Sequence, residues 1–274
     1  MKNPKSDKWI EKVRTYCLLY DIPLIYLPEI ISEPKVIPMI RGKAFEFSVF
    51  LRLKEILPKE TWTVEKPIMN AQFSIHDTDV IITHKKSKKV IRIECKLSGK
   101  GSFKVVNDYE FQIKVKCMRS RTLGESKVKD LAPKLGVTEN LLKVHNDQYV
   151  PSDFDLVITT IGNAFYDTNK DTNQFVWRPT KDGIKFLSKL SGIKDINKLQ
   201  HYAYNQMYVA SSKDLAISEI NEIICTRKGC SIPNKCGFIP NYPVIKFAES
   251  SKEPLNKWMA IEKSEKLFLE LIKN

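Results

Sequence analysis

The sequence predicts a single domain of mixed α/β class. Two observations carry this. Short apolar strand patterns at Asp79–Thr83, Val90–Leu97 and within 151–162 are interleaved with helical patterns such as 42–57. The chain also has no internal repeat and no low-complexity linker, and its 274 residues with 42% hydrophobic content suit one large core.

Taken in order, 8–20 reads as a short helix, and 22–38, punctuated by Pro23, Pro28, Pro34 and Pro38, as an extended connector. Residues 42–57 form the clearest helix, in which Glu46 shares a face with Val49, Phe50, Leu53 and Leu57. Carboxylates rarely turn inward without a partner. Thr61–Val64, Asp79–Thr83 and Val90–Leu97 read as strands. Asn107–Met118 is read as a helix, although Phe111, Ile113 and Val115 alternate as a strand would. Thr138 caps a helix to Val144, 151–162 is a buried strand, and 175–177 is a short one. Gly183–Leu190 and Ile196–Val209 read as helices, the segment from Cys225 as a loop, and about 254–272 as a closing helix. The organisation expected is an N-terminal helix and connector over 1–40, a core over 41–215, and a C-terminal segment over 216–274 packed on the core.

Net charge is +13 and the isoelectric point about 9.3. Such an excess speaks to partners, and nucleic acid is the commonest partner of a basic globular chain. No stretch reaches the ~18 apolar residues of a membrane span. The charged start MKNPKSDKWIEK is unlike a secretory signal, and six scattered cysteines do not form a disulfide scaffold, so a cytoplasmic setting is expected. Residues 84–131 carry 14 lysines and arginines against 5 acids, a surplus of +9 that supplies most of the whole-chain excess.

The stretch DTDVIITHKKSKKVIRIECK (77–96) holds the chemistry. Strand alternation puts Arg92, Glu94 and Lys96 on one face and Ile91, Ile93, Cys95 and Leu97 on the other. Phosphodiester hydrolysis needs an activated water and neutralisation of charge on the phosphorane, which one or two Mg²⁺ ions can serve. Hard cations take oxygen ligands, hence clustered carboxylates, and an adjacent lysine can orient the water or stabilise charge. An isolated E-x-K is more often a cross-strand ion pair on a solvated face. Here it joins an acid-headed strand, a core-facing helix acid and a basic chain.

Glu46 in a helix, Asp79 heading an apolar strand, and Glu94-Cys95-Lys96 fifteen residues on resemble the PD-(D/E)XK nuclease superfamily, and within it type II restriction endonucleases. The resemblance spans roughly 41–165. It implies a restriction-endonuclease-like mixed central β-sheet flanked by helices, with Asp79 and Glu94 binding Mg²⁺, Lys96 assisting the attacking water and Glu46 supporting the metal shell. It further implies sequence-specific cutting of double-stranded DNA by a homodimer, with no membrane and no small-molecule cofactor. Thr78, not proline, precedes Asp79, a departure common in the family, and Asp77 is the alternative ligand. A junction resolvase or transposon end-cutter of the same fold is the nearer rival. The RecB-like branch places Gln and Tyr four apart after the lysine, and Gln112 is followed by Lys116. The rival of a different class is a basic DNA-binding protein without catalysis.

DNA contacts are expected from Ser98, Lys100, Ser102 and Lys104, where Gly99 and Gly101 admit close backbone approach to phosphate, and from Lys114, Lys116, Arg119 and Arg121. The two arginines have the side chain best suited to reading guanine. Asp153 and Asp155 are read as edge or cap residues. His76 and His84 bracket the Asp79 strand. Cys225, Cys230 and Cys236 stand at C-x4-C-x5-C spacing; structural zinc sites open with C-x2–4-C pairs but need four ligands, so a zinc site is the lesser reading without a fourth Cys or His nearby in sequence. The nearest histidine in sequence is His201, so free buried thiols are the default reading.

Overall fold

Each residue of Leu156–Thr160 and of Met207–Ser211 is buried, and these two strands are neighbours inside a six-stranded sheet. The structure, a computed structural model, describes residues 7–67, 78–107 and 110–273. Eleven strands are described: β1 Trp62–Glu65, β2 Val80–His84, β3 Val90–Leu97, β4 Lys104–Asn107, β5 Glu110–Lys114, β6 Leu156–Thr160, β7 Tyr166–Thr168, β8 Phe175–Trp177, β9 Met207–Ser211, β10 Val244–Ala248 and β11 Met259–Ala260. The helices are α1 Asp7–Leu19, α2 Leu27–Ser32, α3 Ile37–Ile56, α4 Glu125–Leu135, α5 Glu139–Val144, α6 Lys181–Ser191, α7 Ile196–Asn205, α8 Ser212–Leu215 and α9 Glu265–Lys273.

The large sheet runs β1-β2-β3-β6-β9-β11. Neighbours are antiparallel except β3 and β6, which pair in parallel from Ile93↔Leu156 to Leu97↔Thr160. The sheet is therefore mixed. Alternation along each strand feeds two cores. Ile93, Leu156, Ile158 and Val209 meet Phe45, Val49 and Leu53 of α3 and Phe268 of α9 on one side. Val157, Tyr208 and Ala210 meet α6 (Phe186, Leu187), α7 (Leu199, Ala203) and the small sheet β10-β5-β4 (Phe111, Ile113, Phe247) on the other. A parallel pair needs a long crossover. The β3–β6 crossover carries β4, β5, α4 and α5, and with them much of the basic surplus.

The strand pattern of Val90–Leu97 and the helix capped by Thr138, whose Oγ1 accepts from Leu141 N at 3.2 Å, form as read from sequence. Four readings change. Glu110–Lys114, inside the stretch read as helix, is a strand, because the alternating Phe111 and Ile113 are drawn into the core between β4 and β10. The helix read over 196–209 ends at Asn205, and MYVAS is a strand whose ladder lies between β6 and β11. The connector over 22–38 folds into a 3-10 turn, α2 and the start of α3. Pro28 and Pro38 sit in the first turns of these helices, where a missing N–H costs little. The closing helix begins later, at Glu265, because Met259–Ala260 joins the sheet edge. No described helix is long and apolar enough to cross a membrane.

Candidate active site

The β2–β3 hairpin brings the first acids together. Its register pairs Val80 with Ile93, so the residue before β2 comes beside Glu94 and Cys95. Asp79 Oδ2 accepts the Cys95 N–H at 2.8 Å. Asp77 and His76 lie outside the described residues.

Glu94 and Lys96 pair at 2.7 Å. This is not a solvated face: Glu94 is 7% exposed, and the Lys96 side chain 19%. Tyr149 closes the group. Its hydroxyl donates to Glu94 Oε1 at 2.9 Å and accepts from Lys96 Nζ at 3.2 Å. The tyrosine is itself held from several sides. The Arg119 guanidinium lies 4.9 Å from its ring centroid, Phe154 packs edge-on at 5.2 Å, and its carbonyl accepts from Ile239 N at 2.8 Å. Burial pulls the Lys96 ammonium down, and Glu94 and Tyr149 beside it pull it up further, leaving it well above the usual lysine range and charged. Burial, then the neighbouring Glu94, raise the Tyr149 phenol, so it stays a neutral donor.

Glu46, 6% exposed on α3, reaches the same neighbourhood. It pairs with Lys43 one turn earlier at 2.8 Å and with Lys66, just past β1. Asp79 is different: among the described residues it has no lysine, arginine or histidine partner, only the Cys95 amide. Burial, and then repulsion from Glu94 and Glu46, push its carboxyl up to about 8, against the opposing pull of the Cys95 N–H and Lys96. A carboxyl beside two other carboxylates is one that a cation would stabilise. The ligand atoms are not gathered as tightly as in a filled site. The set of metal-ligating side chains lying within 4.8 Å of one another among the described residues is elsewhere. The donors at Asp79, Glu94 and Glu46 are all oxygens, the type that fits Mg²⁺.

The expected DNA-contacting residues divide. Lys100, Lys104, Lys114, Lys116 and Arg121 are exposed on the crossover that follows β3. Lys100 contacts Thr168 Oγ1 and lies 4.9 Å from the Phe175 ring centroid. Gly101 has φ +60, a conformation glycine adopts without strain. Ser102 is half-buried, its hydroxyl donating to Lys114 O at 3.1 Å. Ser98 is buried, with its carbonyl receiving Asn163 Nδ2 at 2.7 Å. Arg119 is turned inward: its side chain is 8% exposed, it pairs with the buried Asp153, and its Nε donates to Gln148 O at 2.9 Å. Asp155 receives the Arg92 N–H at 2.7 Å and its guanidinium, pinning β3 to β6. His84 packs on Trp62 and hydrogen-bonds Ser87 at 2.8 Å, so it serves the hairpin.

Two residues escaped the sequence reading. Tyr149 precedes β6 in a stretch with no motif, and only tertiary contact reveals it. Arg41, five residues before Glu46 on α3, lies over Tyr166 at 4.1 Å, with Nη1 buried and without a hydrogen-bond partner. Arg41 falls just before the helix read over 42–57, and only the earlier start of α3, at Ile37, brings it onto the Glu46 helix.

Compared with protein-family models, with curated proteins and with solved structures, the chain matches none.

Proposed function

We propose that this chain is a Mg²⁺-dependent endodeoxyribonuclease of the type II restriction class, with a restriction-endonuclease-like fold, cutting double-stranded DNA as a cytoplasmic homodimer. The observation that carries the reading is the convergence of Asp79, Glu94 and Lys96 on neighbouring strands, with Glu46 close enough to act electrostatically on Asp79. The burial of Glu94 and Lys96 separates them from an ordinary surface ion pair, whose value is small and which needs no enclosure.

In this reading Asp79 and Glu94 hold the metal. When bound, Mg²⁺ supplies an acidified water and neutralises charge on the phosphoryl oxygens. Lys96, held charged, orients the water and stabilises the developing charge. Tyr149 fixes the Glu94 rotamer by its hydrogen bond and the position of Lys96 by accepting from it. Glu46 supports the metal shell directly or through water, and its contacts with Lys43 and Lys66 hold its carboxylate in place. Lys100, Lys104, Lys114, Lys116 and Arg121 supply the phosphate contacts. Arg119 supports the site from behind Tyr149 rather than reading bases. The segment 216–274, which adds β10 and β11 to the two sheets, contributes to DNA recognition or dimerisation.

Incubation of the full chain with phage DNA and Mg²⁺, beside Glu94→Ala and Lys96→Ala, tests this. Discrete bands from wild type alone support the restriction reading. A smear, or cutting of branched DNA only, assigns the site to a repair or recombination nuclease. DNA left intact while still bound makes the chain a non-catalytic DNA-binding protein.

A further inference from the structure

From Ala216 to Pro243 the chain forms no helix or strand, yet Ile217, Cys225, Cys236 and Phe238 are buried in one cluster with Val128, Ala132, Leu141 and Leu142 of α4 and α5. A structureless segment of that length inside a compact domain needs something besides apolar packing to hold its course. Three cysteines lie in it, and the fold supplies the fourth partner that sequence proximity did not. One ligand atom each from His145, Cys225, Cys230 and Cys236 lie within 4.8 Å of one another.

The surroundings of His145 point the same way. The residue is fully buried at the end of α5, its ring stacked on Phe238 with centroids 4.3 Å apart. Gln148 Nε2 donates to Ile239 O at 3.0 Å, which fixes the amide so that Oε1 faces the imidazole. An amide oxygen only accepts, so His145 Nδ1 carries the proton and Nε2 is left with its lone pair. That Nε2 is buried and has no hydrogen-bond partner. Native folds rarely leave such an atom bare, and a metal-ligating histidine commonly has its other nitrogen bound to an acceptor in this way. On the thiol side, Arg227 N donates to Cys225 Sγ at 3.4 Å. Gly229 (φ +83) before Cys230 and Gly237 (φ +78) after Cys236 let the backbone turn at the ligands.

We propose that His145, Cys225, Cys230 and Cys236 bind one Zn²⁺ in a closed structural site that staples the 217–238 segment to α4 and α5. Three thiolates and an imidazole form a standard tetrahedral set for zinc and leave no open coordination position, so the role is architectural. Soft sulfur ligands also separate this site from the oxygen donors at Asp79 and Glu94. The two ions would not exchange places, and the proposal stands whether or not the chain cuts DNA.

The test is the metal content of the full chain, purified without chelator after expression in zinc-supplemented medium. About one equivalent of zinc per chain is expected in wild type and in Asp79→Asn, falling below ~0.2 in His145→Ala and Cys236→Ser. His145→Cys, which keeps four ligands, should retain the metal. Because Cys17, Cys95 and Cys117 are buried as well, the readout is the gain on zinc removal: stripping should make three more thiols reactive in native wild type and lower its thermal stability. Should the ligand variants fail to fold, the wild-type stoichiometry and thiol protection still decide. Zinc-free wild-type protein of unchanged melting temperature on adding zinc, a disulfide among the three cysteines, or loss of zinc in Asp79→Asn but not in Cys236→Ser would each overturn the proposal.

Discussion

Asp79→Asn in metal-free protein should change how stability depends on pH. The native carboxyl is pushed from 3.8 to about 8, first by burial and then by Glu94 and Glu46. Between these values the folded chain keeps a proton that the unfolded chain releases, so stability falls as pH rises from about 4 to about 8. Roughly four units at about 1.4 kcal/mol each set a ceiling of ~6 kcal/mol. Water entering the cleft as Asp79 ionises screens the new charge, so ~2–4 kcal/mol is the expected loss at pH 8. Asparagine still offers an oxygen to the Cys95 amide, so the hydrogen bond survives while the titration disappears. Urea denaturation in metal-stripped buffer at pH 5, 6, 7 and 8 is the assay. The two proteins should agree to within ~1 kcal/mol at pH 5 and separate progressively above it, with the variant the more stable. Added Mg²⁺ should restore wild-type stability at pH 8 and leave the variant unmoved. Parallel curves for the two proteins would refute the reasoning, because they would mean that Asp79 is ionised at no cost beside Glu94 and Glu46.

Further outcomes follow from other contacts. Tyr149→Phe keeps the ring over which Arg119 lies and removes the hydroxyl between Lys96 and Glu94, so cleavage should fall ~10–100-fold with about 1 kcal/mol lost in stability. Arg119→Ala removes the cation paired with the buried Asp153 and should cost ~3–5 kcal/mol in urea denaturation, more than any exposed lysine does. Lys104→Ala or Arg121→Ala should leave stability within ~0.5 kcal/mol and, in DNA-binding isotherms taken across salt concentrations, reduce the salt slope by about 1. Leu53→Ala, emptying the α3 face packed on the sheet, should cost ~2–5 kcal/mol in the same denaturation assay.

The parts legible in the sequence are those whose pattern is local. Alternation identified Val90–Leu97, the 3.6-residue period identified α3 with Glu46 on its inner face, and the threonine cap identified α5. The resemblance these residues carry, rather than the periodicities, implied that Asp79, Glu94, Lys96 and Glu46 share one neighbourhood. What stayed hidden depends on non-local contact. Met207–Ser211 is a strand because β6 offers a ladder, although its residues continue the helical pattern of α7. Phe111 and Ile113 were ambiguous until β10 and β4 pair with them. Arg119 looked like a DNA contact because charge alone does not tell an exposed guanidinium from one folded onto Asp153. His145 is remote in sequence from the cysteines it joins, so spacing rules passed over it.

The central claim is that Asp79, Glu94, Lys96 and Glu46 form a site that hydrolyses DNA with a divalent cation. The most direct measurement follows supercoiled phage DNA on native and denaturing gels with wild type and Lys96→Ala, each confirmed folded, in Mg²⁺ and in metal-stripped buffer. Cleavage is expected only in Mg²⁺, with Lys96→Ala slower than wild type by ~10³-fold or more. Equal cleavage by wild type and variant, or cleavage that persists without metal, would contradict it.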